Sequence, residues 1–196
     1  MLNEAIEKAG KIIKSKLSDE GQSVDNQELA KNVGVGAIKY FDLSHNPESN
    51  IIFSWDKMFL LTGNSGPYLQ YTHARCQSVL VKARGAGVVA RRRGILHTTN
   101  HELQAEEISL LRTFYKFPEV IKDAAHQYAP NLLCNFLYDI ASKYNIMYNN
   151  LPIIKQKPET EKQKQTQNFR LALTAVTARI LKTGLNLLGI QAPERM

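Results

Sequence analysis

Tyrosine and basic side chains recur along one face of a helix that is predicted near the middle of the chain. The residues that fall on this face, when each position is advanced by about 100°, are Tyr68, Tyr71, Arg75, Ser78 and Lys82. A second stripe of the same helix is apolar and is expected to face the core: Leu69, Cys76 and Leu80. Tyrosine rings stack on bases and cations attract phosphates, so the pattern is typical of a nucleic-acid surface. Half-buried tyrosines beside a solvated arginine would give the same pattern, and both interpretations stay open.

Known catalytic motifs fail when their spacing is tested. His101-Glu102 begins like a zinc-protease motif, but Ala105 stands where the second histidine would be. The glycines at positions 34 and 36 are followed by Lys39 where a dinucleotide loop has its third glycine. The sequence also lacks a phosphate-binding loop and a Gly-x-Ser-x-Gly nucleophile motif. The residues alone therefore support a binding module and no reaction.

The cysteines are expected to be buried free thiols. Cys76 and Cys134 are far apart in sequence, both lie in apolar surroundings, and no second cysteine or histidine cluster accompanies either one. His73 precedes Cys76 by one helical turn, but no acidic residue is placed to orient it as a base. We therefore expect neither a disulfide, nor a metal site, nor a nucleophile.

Composition limits the class of protein. The 196 residues are 43% hydrophobic, enough for a core, and their net charge of +7 favours an anionic partner. No apolar run reaches the roughly 18 residues of a membrane-spanning helix, and Asn3 and Glu4 stand where a signal peptide would begin its apolar stretch. We expect a cytoplasmic protein without a membrane partner.

Apolar periodicity predicts an all-α architecture of roughly seven or eight helices. The predicted helices cover residues 2–18, 25–43, 55–61, 67–82, 103–115, 118–128 and 130–148, with a last helix ending at Gly189. We expect a break in the second helix at Gly34 and Gly36, because glycine weakens helices. The apolar face of the last helix is expected to carry Phe169, Leu173, Val176, Ile180 and Leu187.

Irregular segments are predicted at three places. Residues 84–100 form a basic, exposed connection, and residues 155–167 form a polar connection or the frayed start of the last helix. The third is the turn Gly63-Asn64-Ser65-Gly66-Pro67, where the glycines permit left-handed backbone and Pro67 can open a helix.

Four blocks of the sequence carry a family resemblance. They are Val-Gly-Val-Gly-Ala-Ile-Lys-Tyr-Phe-Asp-Leu-Ser at 33–44, Phe-Ser-Trp-Asp-Lys-Met at 53–58, Gly-Asn-Ser-Gly-Pro-Tyr-Leu-Gln-Tyr-Thr-His-Ala-Arg at 63–75, and Leu-Leu-Gly-Ile-Gln-Ala-Pro-Glu-Arg-Met at 187–196. In this order they closely resemble the C-terminal portion of arginyl-tRNA synthetase, a class I aminoacyl-tRNA synthetase. The resemblance spans nearly the whole chain except residues 84–100 and 155–167.

The resemblance implies two parts. Residues 1–65 look like the end of the catalytic core with its stem-contact helices, and residues 66–196 look like the helical anticodon-binding domain of the DALR type. The family's His-x-Gly-His signature is missing, and Lys57-Met58-Phe59 is not its Lys-Met-Ser signature. We therefore expect this chain to be inactive alone and to hold no cofactor, with ATP and Mg²⁺ belonging to the full-length enzyme.

The resemblance also implies partners and contact residues. The partners would be an arginine tRNA, read at a cytosine in the middle of the anticodon, and the catalytic domain of the same polypeptide, in an enzyme that is monomeric at full length. The anticodon contacts carried over are Asn64, Tyr68, Tyr71, Arg75, Tyr148 and Met196, with Gly63, Gly66 and Pro67 shaping the turn. Candidates for phosphate neutralisation are Arg75, Lys82, Arg179 and Lys182.

Two other functions are weighed against this one. A stand-alone helical RNA-binding or scaffolding protein, descended from such a domain, would have the same composition and helices. An independent enzyme would need a constellation of catalytic residues, and the sequence offers none.

Overall fold

The computed structural model describes residues 1–16, 24–85, 102–154 and 160–196, and in these residues the secondary structure is entirely helical. The described helices are α1 (Leu2–Lys16), α2 (Val24–Leu43), α3 (Trp55–Met58), α4 (Gly66–Gly85), α5 (Ala105–Tyr115), α6 (Phe117–His126), α7 (Pro130–Asn150) and α8 (Glu161–Leu187). The all-α prediction is confirmed. Of the basic connection predicted at residues 84–100, Arg84 and Gly85 belong to the end of α4, and the rest lies outside the described residues, as do residues 155–159.

Helices α1 and α2 pack against each other, and α3 packs against α2. The three helices share a hydrophobic core, to which Ala5, Ala9, Val33, Ala37 and Met58 contribute. The predicted break at Gly34 and Gly36 is wrong, because α2 runs unbroken through both glycines. A Cβ at position 34 would lie 2.9 Å from the Ala5 carbonyl oxygen, so Gly34 allows two helix backbones to touch.

Gly34→Ala is therefore expected to destabilise the protein by about 1 to 3 kcal/mol, because the added methyl meets backbone that cannot rotate away. Chemical denaturation measures the loss. Gly10→Ala is the matched control on the facing helix, where a Cβ would lie 3.8 Å from the Ala30 Cβ, an ordinary contact. This control should equal or exceed the wild type in stability, because alanine is the better helix former. Equal losses in the two variants would contradict the packing argument.

Helices α4 to α8 form a bundle in which α7 contacts each of the other four. One core cluster joins α7 and α8 to Tyr40 of α2 and Leu69 of α4. A second core cluster lies farther along α4 and α7, around Cys76, Leu110 and Tyr144. Helix α2 thus belongs to both parts of the molecule, and it joins α1 and α3 to the bundle.

The predicted apolar face of α8 is partly wrong. Val176 and Leu187 are 41% and 58% exposed, whereas Thr174 and Thr177 are fully buried. The threonine hydroxyls donate to carbonyls one turn back, at 2.9 Å each, so they can be buried without loss of hydrogen bonding. A search for hydrophobic residues alone cannot find such a face.

The prediction that both cysteines are buried free thiols is confirmed. Cys76 and Cys134 are free and buried, and burial raises the pKa of each thiol to about 12. Such thiols stay protonated and unreactive at neutral pH. In the part of the chain that the structure describes, no helix has the length and apolar character needed to cross a membrane.

Candidate nucleic-acid interface

The turn before α4 is fixed by a serine and by a close backbone approach. The Ser65 hydroxyl accepts from the Tyr68 backbone N–H at 3.2 Å and donates to the Leu60 carbonyl, which caps the first turn of α4. A Cβ on Gly66 would lie 2.7 Å from the Gly36 carbonyl oxygen of α2. Neither Gly63 nor Gly66 has positive φ, so the expected left-handed backbone is absent from this turn. Gly66 is needed for space, and Pro67 lies in the first turn of the helix.

Asn64 lies at the surface between α2 and α7. Its Oδ1 accepts from the Tyr40 hydroxyl at 2.6 Å, and its Nδ2 donates to Asn135 Oδ1 at 3.3 Å. Burial raises the pKa of Tyr40, so its hydroxyl stays protonated and keeps Asn64 in this orientation. The structure thus holds Asn64 beside the first residues of α4.

Farther along α4, Arg75 joins two of the predicted tyrosines. Its guanidinium carbon lies 4.9 Å from the ring centre of Tyr71 and 5.0 Å from that of Tyr148, within the range of cation–π contacts. Its Nη1 donates to Asn145 Oδ1 at 2.6 Å. Helices α4 and α7 therefore bring together residues that are far apart in the sequence.

Asn145 is a site residue that sequence reasoning missed. Its Nδ2 donates to the Tyr68 hydroxyl at 2.9 Å and to Thr72 Oγ1 at 3.0 Å. The Tyr68 ring also packs against Tyr138, with a tilted geometry and 5.7 Å between ring centres. The available signal was the position of Asn145 one helical turn before Tyr148, which places both residues on neighbouring faces of one helix.

We call the set Tyr68, Tyr71, Arg75, Asn145 and Tyr148 the tyrosine surface. Tyr148 is 40% exposed, and Tyr68, Tyr71 and Arg75 are half-buried. One side of each residue therefore packs against the protein, and the other side is open to solvent. The open sides offer ring faces, phenol hydroxyls and a cation. This combination can stack on unpaired bases, bond to their edges and attract phosphates.

Met196 does not join the tyrosine surface. The C-terminal segment is bonded to the opposite side of α4: Gln70 Nε2 donates to the Gln191 carbonyl at 2.8 Å, and His73 Nδ1 lies 2.9 Å from the Pro193 carbonyl. Burial lowers the pKa of His73, so the ring is neutral at neutral pH and donates this hydrogen bond. Met196 packs against the core of α1, α2 and α3. Its predicted anticodon contact stays a prediction, at a place separate from the tyrosines.

The other predicted phosphate contacts lie on exposed parts of α4 and α8. Lys82 and Arg179 are exposed, and Lys82 follows Arg75 on the same side of α4. Lys182 pairs with Glu194 at 3.5 Å, so part of its charge is already balanced. Among the described residues, no group of His, Cys, Asp or Glu side chains is placed to hold a metal ion.

Comparison with known families decides what this fold is. Residues 69–196 match the family described as the DALR anticodon binding domain. The chain belongs to this DALR family. Residues 1–55 match a second family, the catalytic domain of class I (R) tRNA synthetases. The DALR match includes Tyr71, Arg75, Asn145 and Tyr148, whereas Asn64 and Tyr68 lie between the two matched ranges. The resemblance inferred from the sequence is confirmed, and the division near residue 65 stays a prediction.

Individual relatives of this DALR chain agree with the family match. It is 36% identical over 200 residues to the arginine–tRNA ligase of Thermococcus kodakarensis, and 38% identical over 197 residues to that of Wigglesworthia glossinidia brevipalpis. These matches cover 100% of this chain and only 30% and 32% of those enzymes. The arginyl-tRNA synthetase structure from Thermus thermophilus superposes with a TM-score of 0.82 and 31% identity, covering 100% of this chain and 31% of that one.

Proposed function

We propose that the tyrosine surface binds the anticodon loop of an arginine tRNA, as the anticodon-binding part of an arginine–tRNA ligase. The observation that supports this most is the cation–π contact of Arg75 with both Tyr71 and Tyr148, in a domain of the DALR anticodon-binding family. A cation held between two partly exposed rings provides both of the contacts that a single-stranded loop needs.

The mechanism of binding follows from the chemistry of these side chains. Unpaired bases of the loop would stack on the open faces of Tyr71 and Tyr148, and Arg75 and Lys82 would neutralise nearby phosphates. Phenol hydroxyls, led by that of Tyr68, would bond to exposed base edges. Added salt would therefore lower the affinity, because it weakens the phosphate contacts. The choice of base would depend on the hydrogen bonds to base edges.

Other parts of the enzyme would carry out the rest of the reaction. ATP and Mg²⁺ would be ligands of catalytic-domain residues outside this chain, because residues 1–196 contain neither nucleotide signature of the family. The partners would be the arginine tRNA and that catalytic domain, in the cytoplasm and in a monomeric enzyme. A stand-alone RNA-binding or scaffolding role is not favoured, because residues 1–55 match a catalytic-domain family.

The test is the affinity of the chain for an arginine tRNA whose middle anticodon cytosine is changed to guanine. We expect roughly tenfold weaker binding than to the unchanged tRNA, the cost of losing one well-placed base contact. A titration at fixed salt, followed by fluorescence anisotropy, measures both affinities. Equal affinity for the two tRNAs would contradict the proposal and favour binding through the phosphates alone.

A further inference from the structure

We propose that Arg75 and Asn145 fix the direction of the hydrogen bonds at Tyr68, so that its hydroxyl meets RNA as a hydrogen-bond donor. The inference rests on the proposed function, because the ligand is the middle base of the anticodon. It predicts a preference for a base edge that presents an acceptor. Cytosine presents such an acceptor at its N3 atom, whereas uracil presents an N–H at the same position.

The direction begins at Arg75. A guanidinium carries hydrogen-bond donors and no acceptor. Its Nη1 lies 2.6 Å from Asn145 Oδ1, so the amide oxygen must face Arg75 and the amide nitrogen must face away. The positive charge strengthens this bond relative to one between neutral groups. The two ring contacts of Arg75, with Tyr71 and Tyr148, hold the guanidinium in place.

Asn145 passes the direction on to two hydroxyls. Its Nδ2 has two hydrogens, and these reach the Tyr68 hydroxyl at 2.9 Å and Thr72 Oγ1 at 3.0 Å. Thr72 uses its own hydrogen on the Tyr68 carbonyl oxygen at 2.9 Å, so its Oγ1 is free to accept from Asn145. Both amide hydrogens are therefore used inside the protein, and Asn145 acts as a positioning residue.

The Tyr68 hydroxyl is the end of this chain of bonds. Because it accepts from Asn145, its own hydrogen is left for another group. In the described ranges, no side chain or carbonyl accepts that hydrogen, and the ring is half-buried with its orientation held by Tyr138. A ligand that approaches the open side of Tyr68 therefore meets its hydroxyl as a hydrogen-bond donor.

Asn145→Asp tests the direction of the bonds. A carboxylate only accepts hydrogen bonds, so the Tyr68 hydroxyl would donate to it. The phenol oxygen would then face the RNA only as an acceptor. Asn149→Asp is the matched control, since it adds the same charge one turn along α7 at an exposed position. The probes are two anticodon stem-loops of arginine tRNA that differ only in cytosine or uracil at the middle position.

We expect the wild type and Asn149→Asp to prefer the cytosine stem-loop by roughly three- to tenfold, the worth of one neutral hydrogen bond. Asn145→Asp should bind both stem-loops with nearly equal affinity, and so should Tyr68→Phe, which lacks the hydroxyl. Thermal unfolding of each variant shows that it is folded. If Asn145→Asp keeps the full preference for cytosine while Tyr68→Phe loses it, the inference is wrong.

A second measurement needs no RNA and separates this inference from the proposed function. In NMR spectra of the free chain, the Arg75 guanidinium should give distinct N–H signals, shifted by the Tyr71 and Tyr148 rings. Asn145→Ala should move the Nη1 signals, because the hydrogen bond to Asn145 Oδ1 is lost, and Asn149→Ala should not. Unchanged Arg75 signals in Asn145→Ala would overturn the inference. Failure of the wild type to bind either stem-loop would instead overturn the proposed function, and the Arg75 signals would still decide whether Arg75 is bonded to Asn145.

Discussion

A Glu107→Gln variant is expected to be less stable than the wild type by about 3 to 5 kcal/mol, the largest loss that we expect from any single substitution. The Glu107 side chain is fully buried, that of Arg170 is 8% exposed, and Arg170 Nε lies 2.7 Å from Glu107 Oε1. Glutamine has nearly the same size but no charge. The variant would therefore leave the guanidinium buried without a carboxylate to balance it.

The position of this ion pair explains why its loss would affect the whole bundle. The other oxygen of Glu107 accepts from the Gln104 backbone N–H at 2.8 Å, at the start of α5. Arg170, in α8, also donates from Nη1 to the Pro152 carbonyl at 2.9 Å, just after α7. The ion pair thus connects the start of α5, through Glu107, to α8 and to the segment that follows α7, through Arg170.

Denaturation by urea measures the loss, and Glu106→Gln is its matched control. Glu106 is the preceding residue of α5, and its carboxylate accepts from Asn150 at 3.0 Å at the surface. We expect this control to unfold close to the wild type, because water can replace a surface bond. A Glu107→Gln loss below about 1 kcal/mol would show that the buried pair is not needed for stability.

Replacing both Tyr71 and Tyr148 by alanine is expected to have the largest effect on tRNA binding. Each ring that stacks a base contributes about 1 to 3 kcal/mol, so each single variant should bind arginine tRNA roughly tenfold more weakly and the double variant roughly a hundredfold. The double variant also removes both ring contacts of Arg75. The measurement is an equilibrium titration at constant ionic strength, since phosphate contacts depend on salt.

Tyr115 provides the matched tyrosine control. It lies at the end of α5, is 88% exposed, and has no hydrogen bond or ring contact with the tyrosine surface. We expect Tyr115→Ala to bind tRNA as the wild type does. If its loss were as large as that of Tyr71→Ala, then exposed tyrosines in general, and not this surface, would be responsible for binding.

Much of the fold could be predicted because the helices have strong apolar periodicity and clear stop signals. The glycines of α2 were misread because a sequence shows that glycine weakens a helix, whereas only the structure shows the Ala5 backbone packed onto Gly34. Thr174 and Thr177 were missed for a related reason, since their burial depends on bonds to their own helix that hydrophobicity does not report.

Helical spacing in the sequence could predict only those site residues that lie together on one helix. Tyr68, Tyr71 and Arg75 share a face of α4, and helical spacing alone brings them together. Tyr148 came from the family resemblance, and Asn145 from neither source, because its role depends on how α7 lies against α4. Met196 was assigned to the same contacts, but the C-terminal segment lies on the other side of α4.

The most direct test of the central claim, that the tyrosine surface reads the anticodon, is a ratio of two affinities. It compares an arginine tRNA with its variant carrying guanine at the middle anticodon position, for the wild type, Tyr115→Ala and the Tyr71→Ala/Tyr148→Ala variant. We predict a ratio of roughly ten for the wild type and Tyr115→Ala, falling toward one in the double variant, because a base that is no longer stacked cannot be read. A double variant that loses affinity for both tRNAs equally, with the ratio unchanged, would contradict the claim.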